Sequence, residues 1–309
     1  MCTRMIEAGW DPVIRSSEKI AWTIESVLGP EARFDLARPL LPDSLANVAK
    51  ISCLNDAERL TLNHIRGHAY LYLFSFVEEY IIATAVRHSS AEVFGDHAAL
   101  RALLRFAEEE VKHQEMFRRA CRLFTGSFGH NCDVLPNPQA VAEVILSHKP
   151  MAVLLITLHL EIMTQHHFVE AFRRGGADEI DPLFRNMLRH HWMEEAQHAK
   201  IDTLELHKLS ADATPEMCEE SIDDYIKIGG ALDGLLGQQA KNDIATLGRV
   251  LNRQFTEAEQ REMLDTQVEA YRRTFVGLGI SSPAFVAEVK RLSPAGAHRV
   301  EEVAKQFPV

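Results

Sequence analysis

The sequence lacks several features that define familiar classes of protein. Its five cysteines are scattered and contain no Cys-x-x-Cys pair, which disfavours a thiolate zinc site or an iron–sulfur cluster and fits a reducing compartment. No run of Lys and Arg occurs, and the net charge of −11 makes nucleic acid an unexpected partner. The N-terminal residues lack the apolar core of a signal peptide, and no uninterrupted stretch of about 18 apolar residues occurs. We therefore expect a cytoplasmic protein with no membrane partner.

Strand-like alternation of apolar and polar residues is also missing, whereas helix start and stop signals are frequent. Four long helices are predicted over residues 56–88, 96–126, 150–174 and 182–209. Other helices are predicted over residues 13–28, 139–147, 214–237, 256–277 and 283–307. We expect residues 1–50 to form a cap, residues 51–210 a four-helix core and residues 211–309 C-terminal helices packed on that core, within one overall domain. The predicted fold class is all-α.

The chain is organised around the segment from Arg189 to His198. If this segment is helical, the spacings i, i+4 and i+7 place His191, Glu195 and His198 on one face. That row of side chains is typical of metal ligands. His191 is open to a second interpretation, because a buried histidine is often a core residue with a hydrogen-bond partner.

A second copy of the motif lies upstream on the helix predicted over residues 96–126. Glu110 and His113 repeat the Glu-x-x-His spacing of the later helix. A shuffled sequence of this composition would contain about one such motif by chance, so a single motif is weak evidence for a metal site. The placement of the two motifs in the chain is stronger evidence. Both copies lie within predicted helices, and each follows a helix that buries a further Glu. This is the ligand pattern of di-iron and di-manganese carboxylate bundles.

Glu161 is the only acidic residue between Glu143 and Glu170, and it lies in a strongly apolar helix. Because an unpaired buried carboxylate is costly, a metal partner is the simplest explanation. The alternative is a hydrogen bond to one of three nearby histidines. These are His159, His166 and His167.

The helix over residues 56–88 offers two adjacent acids, Glu78 and Glu79. We interpret four residues at helical spacing as a polar strip, and Glu79 lies opposite that strip. They are Arg59, Asn63, Arg66 and Tyr70. We therefore predict Glu79 as the ligand by a narrow margin, with Glu78 as the alternative. Around the ligands, a dry apolar pocket is expected from Phe76, Ile82, Leu158 and Ile162.

Three further acids are candidates for supporting the ligands. Glu109 and Glu194 each precede a ligand Glu, and each can accept a hydrogen bond from the far nitrogen of a ligand His. The alternative for either is an exposed helix acid. Asp202, one turn beyond His198, is predicted to orient that imidazole. Carboxylates and imidazoles without sulfur suit two irons, although manganese or a mixed pair also fits, and they leave positions for O₂.

At these residues the chain resembles the ferritin-like di-iron oxygenases, and its His-x-x-x-Glu-x-x-His helix looks most like the p-aminobenzoate N-oxygenase family. The segment from Trp192 to Lys200 is also similar to bacterial proteins described as predicted metal-dependent hydrolases. The resemblance covers residues 56–209 and implies a ferritin-like bundle that binds two metals. The ligands it implies are Glu79 or Glu78, Glu110, His113, Glu161, His191, Glu195 and His198.

These features favour an O₂-dependent di-iron oxidoreductase acting on a small organic substrate, with electrons from an external donor. N-oxygenation of an amine is the reaction that the family resemblance implies. A metal-dependent hydrolase and a ferroxidase or other iron-handling protein are the alternatives. We expect a homodimer.

Overall fold

The computed structural model describes residues 2–169 and 179–307, with the side chains of the first helix from residue 9 onward. These residues form helices and turns, and no β-strand occurs among them. The helices are α1 (Cys2–Ile20), α2 (Ile24–Val27), α3 (Asp43–Ala46), α4 (Asp56–Ala91), α5 (His97–Phe128), α6 (Pro138–Leu146), α7 (Pro150–His167), α8 (Pro182–Ala211), α9 (Pro215–Leu251), α10 (Glu257–Arg272), α11 (Leu278–Ile280), α12 (Pro283–Leu292) and α13 (Pro294–Ala304). The all-α prediction is confirmed.

Four long helices, α4, α5, α7 and α8, form the core that the sequence predicted. α4 packs along α5, α7 packs along α8, and contacts between α5 and α8 join the two pairs. Their start signals act as expected. Asn55 and Glu58 form a reciprocal capping box at α4, with hydrogen bonds of 3.0 and 2.9 Å. Asp181 accepts a 2.7 Å bond from the Phe184 amide at the start of α8.

The apolar composition of α4 and α7 reflects their position in the bundle. α7 is buried continuously from Met151 to Thr164. α4 is long and apolar enough to cross a membrane by length and composition alone, but 67% of its most apolar window is buried inside the protein. A helix that is apolar on every side is expected in the interior of a large bundle.

Several helix boundaries differ from the prediction. The helix expected over residues 13–28 is two helices, because Thr23 adopts an extended conformation and caps α2. The helix predicted to end at Gly237 continues to Leu251, since buried residues such as Tyr225 and Leu247 hold α9 against the bundle and outweigh the cost of its glycines. Residues 283–307 form two helices with a break at Ser293. The predicted end of the third core helix, at residue 174, lies outside the described residues.

The N- and C-terminal helices cover the core from different sides. α1 packs against α5 and α8, while α9 packs against α4 and α7. A short π-helical segment, Arg273–Gly277, follows α10 and also contacts α7. The N-terminal helix and the C-terminal helices therefore both contact helices that carry the predicted ligands.

Candidate metal centre

The two Glu-x-x-His helices meet in the interior of the bundle. Glu110 and His113 on α5 face Glu195 and His198 on α8, and one ligand atom of each lies within 4.8 Å of the others. All four side chains are at most 3% exposed. Two motifs 85 positions apart in the sequence thus form one buried cluster. The separation of its ligand atoms is that expected for a site that binds metal through carboxylate and imidazole groups.

His191 belongs to the same cluster. Its Nε2 lies 3.1 Å from Oε1 of Glu195 and 3.6 Å from Oε1 of Glu78. Glu78, His113 and His191 form a second group whose ligand atoms lie within 4.8 Å of one another. Burial lowers the pKa of His191 to about 4, so its imidazole is neutral and has a lone pair available for a metal.

The preference for Glu79 over Glu78 does not fit the structure. Glu78 is 2% exposed and faces the cluster, whereas Glu79 points to the surface and accepts a 2.9 Å hydrogen bond from Arg118. The supposed polar strip misled the assignment, because Asn63, Arg66 and Tyr70 are themselves buried. The face judged to be exposed is packed against other helices, and the cluster lies elsewhere on α4.

Glu161 approaches the cluster from α7. It is 2% exposed, and the nearby Glu195 contributes to raising its pKa after the larger effect of burial. The alternative partners are occupied elsewhere: His159 bonds to Tyr225 and Phe275, His166 to Ser282, and His167 to Tyr70 and Thr274. The four core helices therefore each direct at least one Glu into the same buried volume.

Many ligand atoms in this volume point toward one another without forming hydrogen bonds. Nδ1 of His198 lies 2.7 Å from Oε1 of Glu110, yet neither atom has a hydrogen-bond partner among the residues that the structure describes. The same holds for Nδ1 of His113, Oε1 of Glu195, Oε2 of Glu161 and both oxygens of Glu78. Buried polar atoms without partners are costly and rare. Their convergence is the arrangement expected for atoms that share bound cations.

The outer nitrogens of the two motif histidines are held reciprocally. Nε2 of His113 donates to Oε2 of Glu194 over 2.7 Å, and Nε2 of His198 donates to Oε2 of Glu109 over 2.9 Å. Because an ionised carboxylate only accepts, these bonds leave Nδ1 of each histidine facing the cluster. Both acids are at most 3% exposed, so the alternative of exposed helix acids does not apply.

Asp202 does not have the role predicted for it. Nε2 of His198 is already bonded to Glu109, and its Nδ1 faces Glu110. Asp202 is 2% exposed, and within the described part of the chain its Oδ2 has no hydrogen-bond partner. Asp202 is therefore a further buried acid near the cluster and is not the group that orients His198.

The electrostatics of the cluster fit a site that cations would neutralise. Burial, followed by the charge of Glu110, raises the pKa of Glu78 well above its usual value. Burial, the charge of Glu195 and the hydrogen bond with Glu195 likewise raise the pKa of Glu161. Burial opposes the charged form of His113, but its carboxylate neighbours raise its pKa overall. Without cations the acids must therefore retain protons or share them with the histidines.

Several residues around the cluster were missed by sequence reasoning. Aromatic rings line it, with ring centroids at 5.1 Å for Phe74 and 4.9 Å for Phe117 from His191, and 4.4 Å for Phe106 from His198. Phe76, which was predicted to line the pocket, instead borders a separate cavity of about 180 Å³ beside Glu79 and Arg118. The helical spacing of Phe74 and Glu78, four residues apart, was the signal that could have identified the correct face.

Comparisons with known proteins give a limited result. No family model matches the chain, and no curated protein matches it. Among solved structures, it is similar to an R2-like ligand-binding oxidase with an aerobically reconstituted Mn/Fe cofactor, at 12% identity and a TM-score of 0.45, covering 85% of this chain and 92% of that one. A variant with an Fe/Fe cofactor gives 12% identity and a TM-score of 0.46, covering 85% and 93%. The chemistry of the site therefore rests on its own residues.

Proposed function

We propose that this protein is a dinuclear metal oxidoreductase that uses O₂ to oxidise a small organic substrate, with two irons or a mixed manganese and iron pair. The observation that carries the proposal is the convergence of unpartnered ligand atoms from four helices. The proposed ligands are Glu78, Glu110, His113, Glu161, His191, Glu195 and His198.

The composition of this set supports redox-active metals. Carboxylates and neutral imidazoles suit iron and manganese, and no sulfur atom belongs to the set. A bound metal pair would supply electrons to O₂. The protein's own contribution is to hold the ligands, to fix the tautomers of His113 and His198, and to exclude water with the rings of Phe74, Phe106 and Phe117.

The donor atoms form two overlapping groups that share His113. One group consists of Glu78, His113 and His191, which supply two imidazoles and one carboxylate. The other consists of Glu110, His113, Glu195 and His198, with Glu161 beside Glu195, and is richer in carboxylates. Since imidazole suits iron and carboxylates suit manganese as well, this inequality is compatible with either two irons or a mixed pair.

N-oxygenation of an amine is the specific reaction that we propose testing first, on the basis of the His-x-x-x-Glu-x-x-His helix. Electrons would come from an external donor. That the protein is a cytoplasmic homodimer remains a prediction.

The test begins with protein loaded anaerobically with Fe²⁺, or with Mn²⁺ and Fe²⁺, and then exposed to O₂. We expect about two metals per chain, O₂ consumption, and a change in visible absorption, all lost in Glu195→Ala and His198→Ala. A panel of arylamines and other small substrates then follows. Hydrolysis of model esters without O₂ by protein loaded with zinc would instead favour a hydrolase. A cage-sized assembly that accumulates ferric mineral would favour an iron-handling protein.

A further inference from the structure

The N-terminal segment (residues 9–27) contacts Glu109 directly and Glu194 through Lys112. These two outer acids accept hydrogen bonds from the motif histidines. Ser17 on α1 is 2% exposed, and its hydroxyl donates to Oε1 of Glu109 over 2.5 Å. Arg105 on α5 donates through Nε to the same hydroxyl over 2.6 Å. Since Glu109 also accepts from His198, a continuous series of hydrogen bonds joins Arg105, Ser17, Glu109 and His198.

Trp22 plays a comparable part at the other motif. Its ring stacks on the His113 imidazole, with centroids 5.9 Å apart and planes inclined by 15°. The Lys112 ammonium lies 4.3 Å from the centroid of the Trp22 ring and donates to Oε1 of Glu194 over 2.5 Å. Glu194 in turn accepts from His113. The tryptophan therefore packs on both the histidine and the lysine that neutralises its outer acid.

We propose that Ser17 and Trp22 are positioning residues of the metal centre, Ser17 for His198 through Glu109 and Trp22 for His113 directly and through Lys112. This inference rests on the proposed function, since it assigns these residues to two bound metals. The N-terminal segment thereby completes the support of both motif histidines, although it contributes no ligand.

The physical basis is the orientation of the two imidazoles. When the Ser17 hydroxyl is removed, Glu109 keeps its hydrogen bonds with Gln197 and His198, and its carboxylate gains freedom to rotate. Loss of a direct partner of a ligand histidine typically weakens metal binding by about 10- to 100-fold. Ser17 acts one contact further out, so we expect metal release to be faster by about 3- to 10-fold.

Trp22 acts by a different route. Its removal exposes the His113 ring and releases Lys112 from the aromatic face, which weakens the neutralisation of Glu194. Phe at position 22 retains an aromatic face, whereas Leu does not. The effect of Trp22→Leu should therefore be transmitted through His113, and that of Ser17→Ala through His198.

The experiment uses the full chain loaded with Co²⁺, followed by release to excess EDTA. The variants are Ser17→Ala, Ser17→Thr, which restores the hydroxyl, Trp22→Leu and Trp22→Phe. Ser16→Ala, at the neighbouring and partly exposed position, is the matched control. We expect Ser17→Ala and Trp22→Leu each to accelerate metal release, with Thr and Phe recovering most of the wild-type rate.

A spectroscopic readout assigns each effect to its histidine. In the Co²⁺ protein, the exchangeable Nε2 protons of His113 and His198 should give separate paramagnetically shifted NMR signals. Ser17→Ala should shift or broaden the His198 signal alone, and Trp22→Leu the His113 signal alone. Arg105→Gln, at a half-buried position on α5, loosens the same serine without changing a buried residue and should accelerate release in the same way as Ser17→Ala.

The outcomes separate this inference from the proposed function. Wild-type protein that binds no Co²⁺ would overturn both. Wild-type protein that binds two ions, with unchanged release rates and NMR signals in Ser17→Ala, Arg105→Gln and Trp22→Leu, would overturn the positioning roles and leave the metal centre intact. Equal acceleration of release by every variant, Ser16→Ala included, would show a general loss of structure and also overturn them.

Discussion

Glu109 accepts a hydrogen bond from Nε2 of His198, 89 positions later in the chain, over 2.9 Å. Glu194 makes the reciprocal bond to His113 over 2.7 Å. Each motif helix thus supplies the acid that orients the histidine of the other helix. Because this exchange crosses between α5 and α8, it also joins the two halves of the four-helix core at the metal centre.

Removing both outer acids is expected to show that they act separately. Glu109→Gln and Glu194→Gln should each weaken metal binding by about 10-fold or more, since a neutral amide is a poorer acceptor for the histidine N–H. If each acid serves its own metal, the double variant should show the product of the two effects. Competition with a chelator of known affinity measures them, and the exposed Glu108→Gln is the control.

The adjacent acids Glu78 and Glu79 offer a matched pair of variants. Glu78→Ala should weaken the binding of one metal by more than about 100-fold, because a ligand is expected to matter more than its outer partner. Glu79→Ala removes a surface ion pair with Arg118, and an exposed pair contributes less than about 1 kcal/mol. Metal content by elemental analysis and thermal unfolding distinguish the two. Equal metal content in both variants would contradict the assignment of Glu78.

His191 and its neighbour His190 provide a second matched pair. His191→Ala should reduce the metal content from about two ions per chain to about one, since it removes a donor from the position richer in imidazole. His190 instead bonds through Nδ1 to the Asn186 carbonyl over 2.8 Å, so His190→Ala should retain both ions. Retention of both ions with wild-type affinity by His191→Ala would identify it as a core histidine.

Two glycines are expected to respond in opposite directions to alanine. A Cβ at Gly279 would lie 2.4 Å from Cδ2 of His159 and 2.9 Å from its carbonyl oxygen, so Gly279→Ala should destabilise the protein by about 1–3 kcal/mol. At Gly234, in the middle of α9, no described atom beyond its chain neighbours and the nearby backbone of α9 lies within 4 Å of an added Cβ. Gly234→Ala should stabilise the helix by about 0.5–1 kcal/mol. Denaturant unfolding of the metal-free variants measures both, and a stable Gly279→Ala protein would contradict the close approach of α11 to α7.

Asp243 should give stability a pH dependence away from the metal centre. Burial, partly opposed by Arg66, raises its pKa to about 7 from 3.8. Between these values the folded protein retains a proton that the unfolded chain has released. The free energy of unfolding should therefore fall as pH rises from about 4 to 7, by at most about 1.4 kcal/mol per pH unit from this group, and level off above pH 7.

The control for this prediction is Asp243→Asn, which cannot titrate. The difference in unfolding free energy between wild type and Asp243→Asn, measured in urea with a chelator present, isolates the contribution of Asp243 from that of other groups. A difference that does not change between pH 4.5 and 7.5 would contradict the raised pKa.

The sequence by itself determined the four core helices and most of the cluster. Helical periodicity and capping are local properties, so Asn55 with Glu58 and Asp181 with Pro182 predicted two helix starts correctly. The spacing within each Glu-x-x-His motif likewise required the two side chains of that motif to share a face.

Only the tertiary structure decided between Glu78 and Glu79. Arg66 looks like a surface residue in the sequence, yet it is buried against the Tyr271 ring and lies 3.6 Å from Asp243, both contributed by the C-terminal helices. The contacts of Ser17 and Trp22 with the centre depend in the same way on where the chain breaks between α1 and α2. Burial and long-range contacts depend on which distant helices pack together, and local periodicity carries no information about that packing.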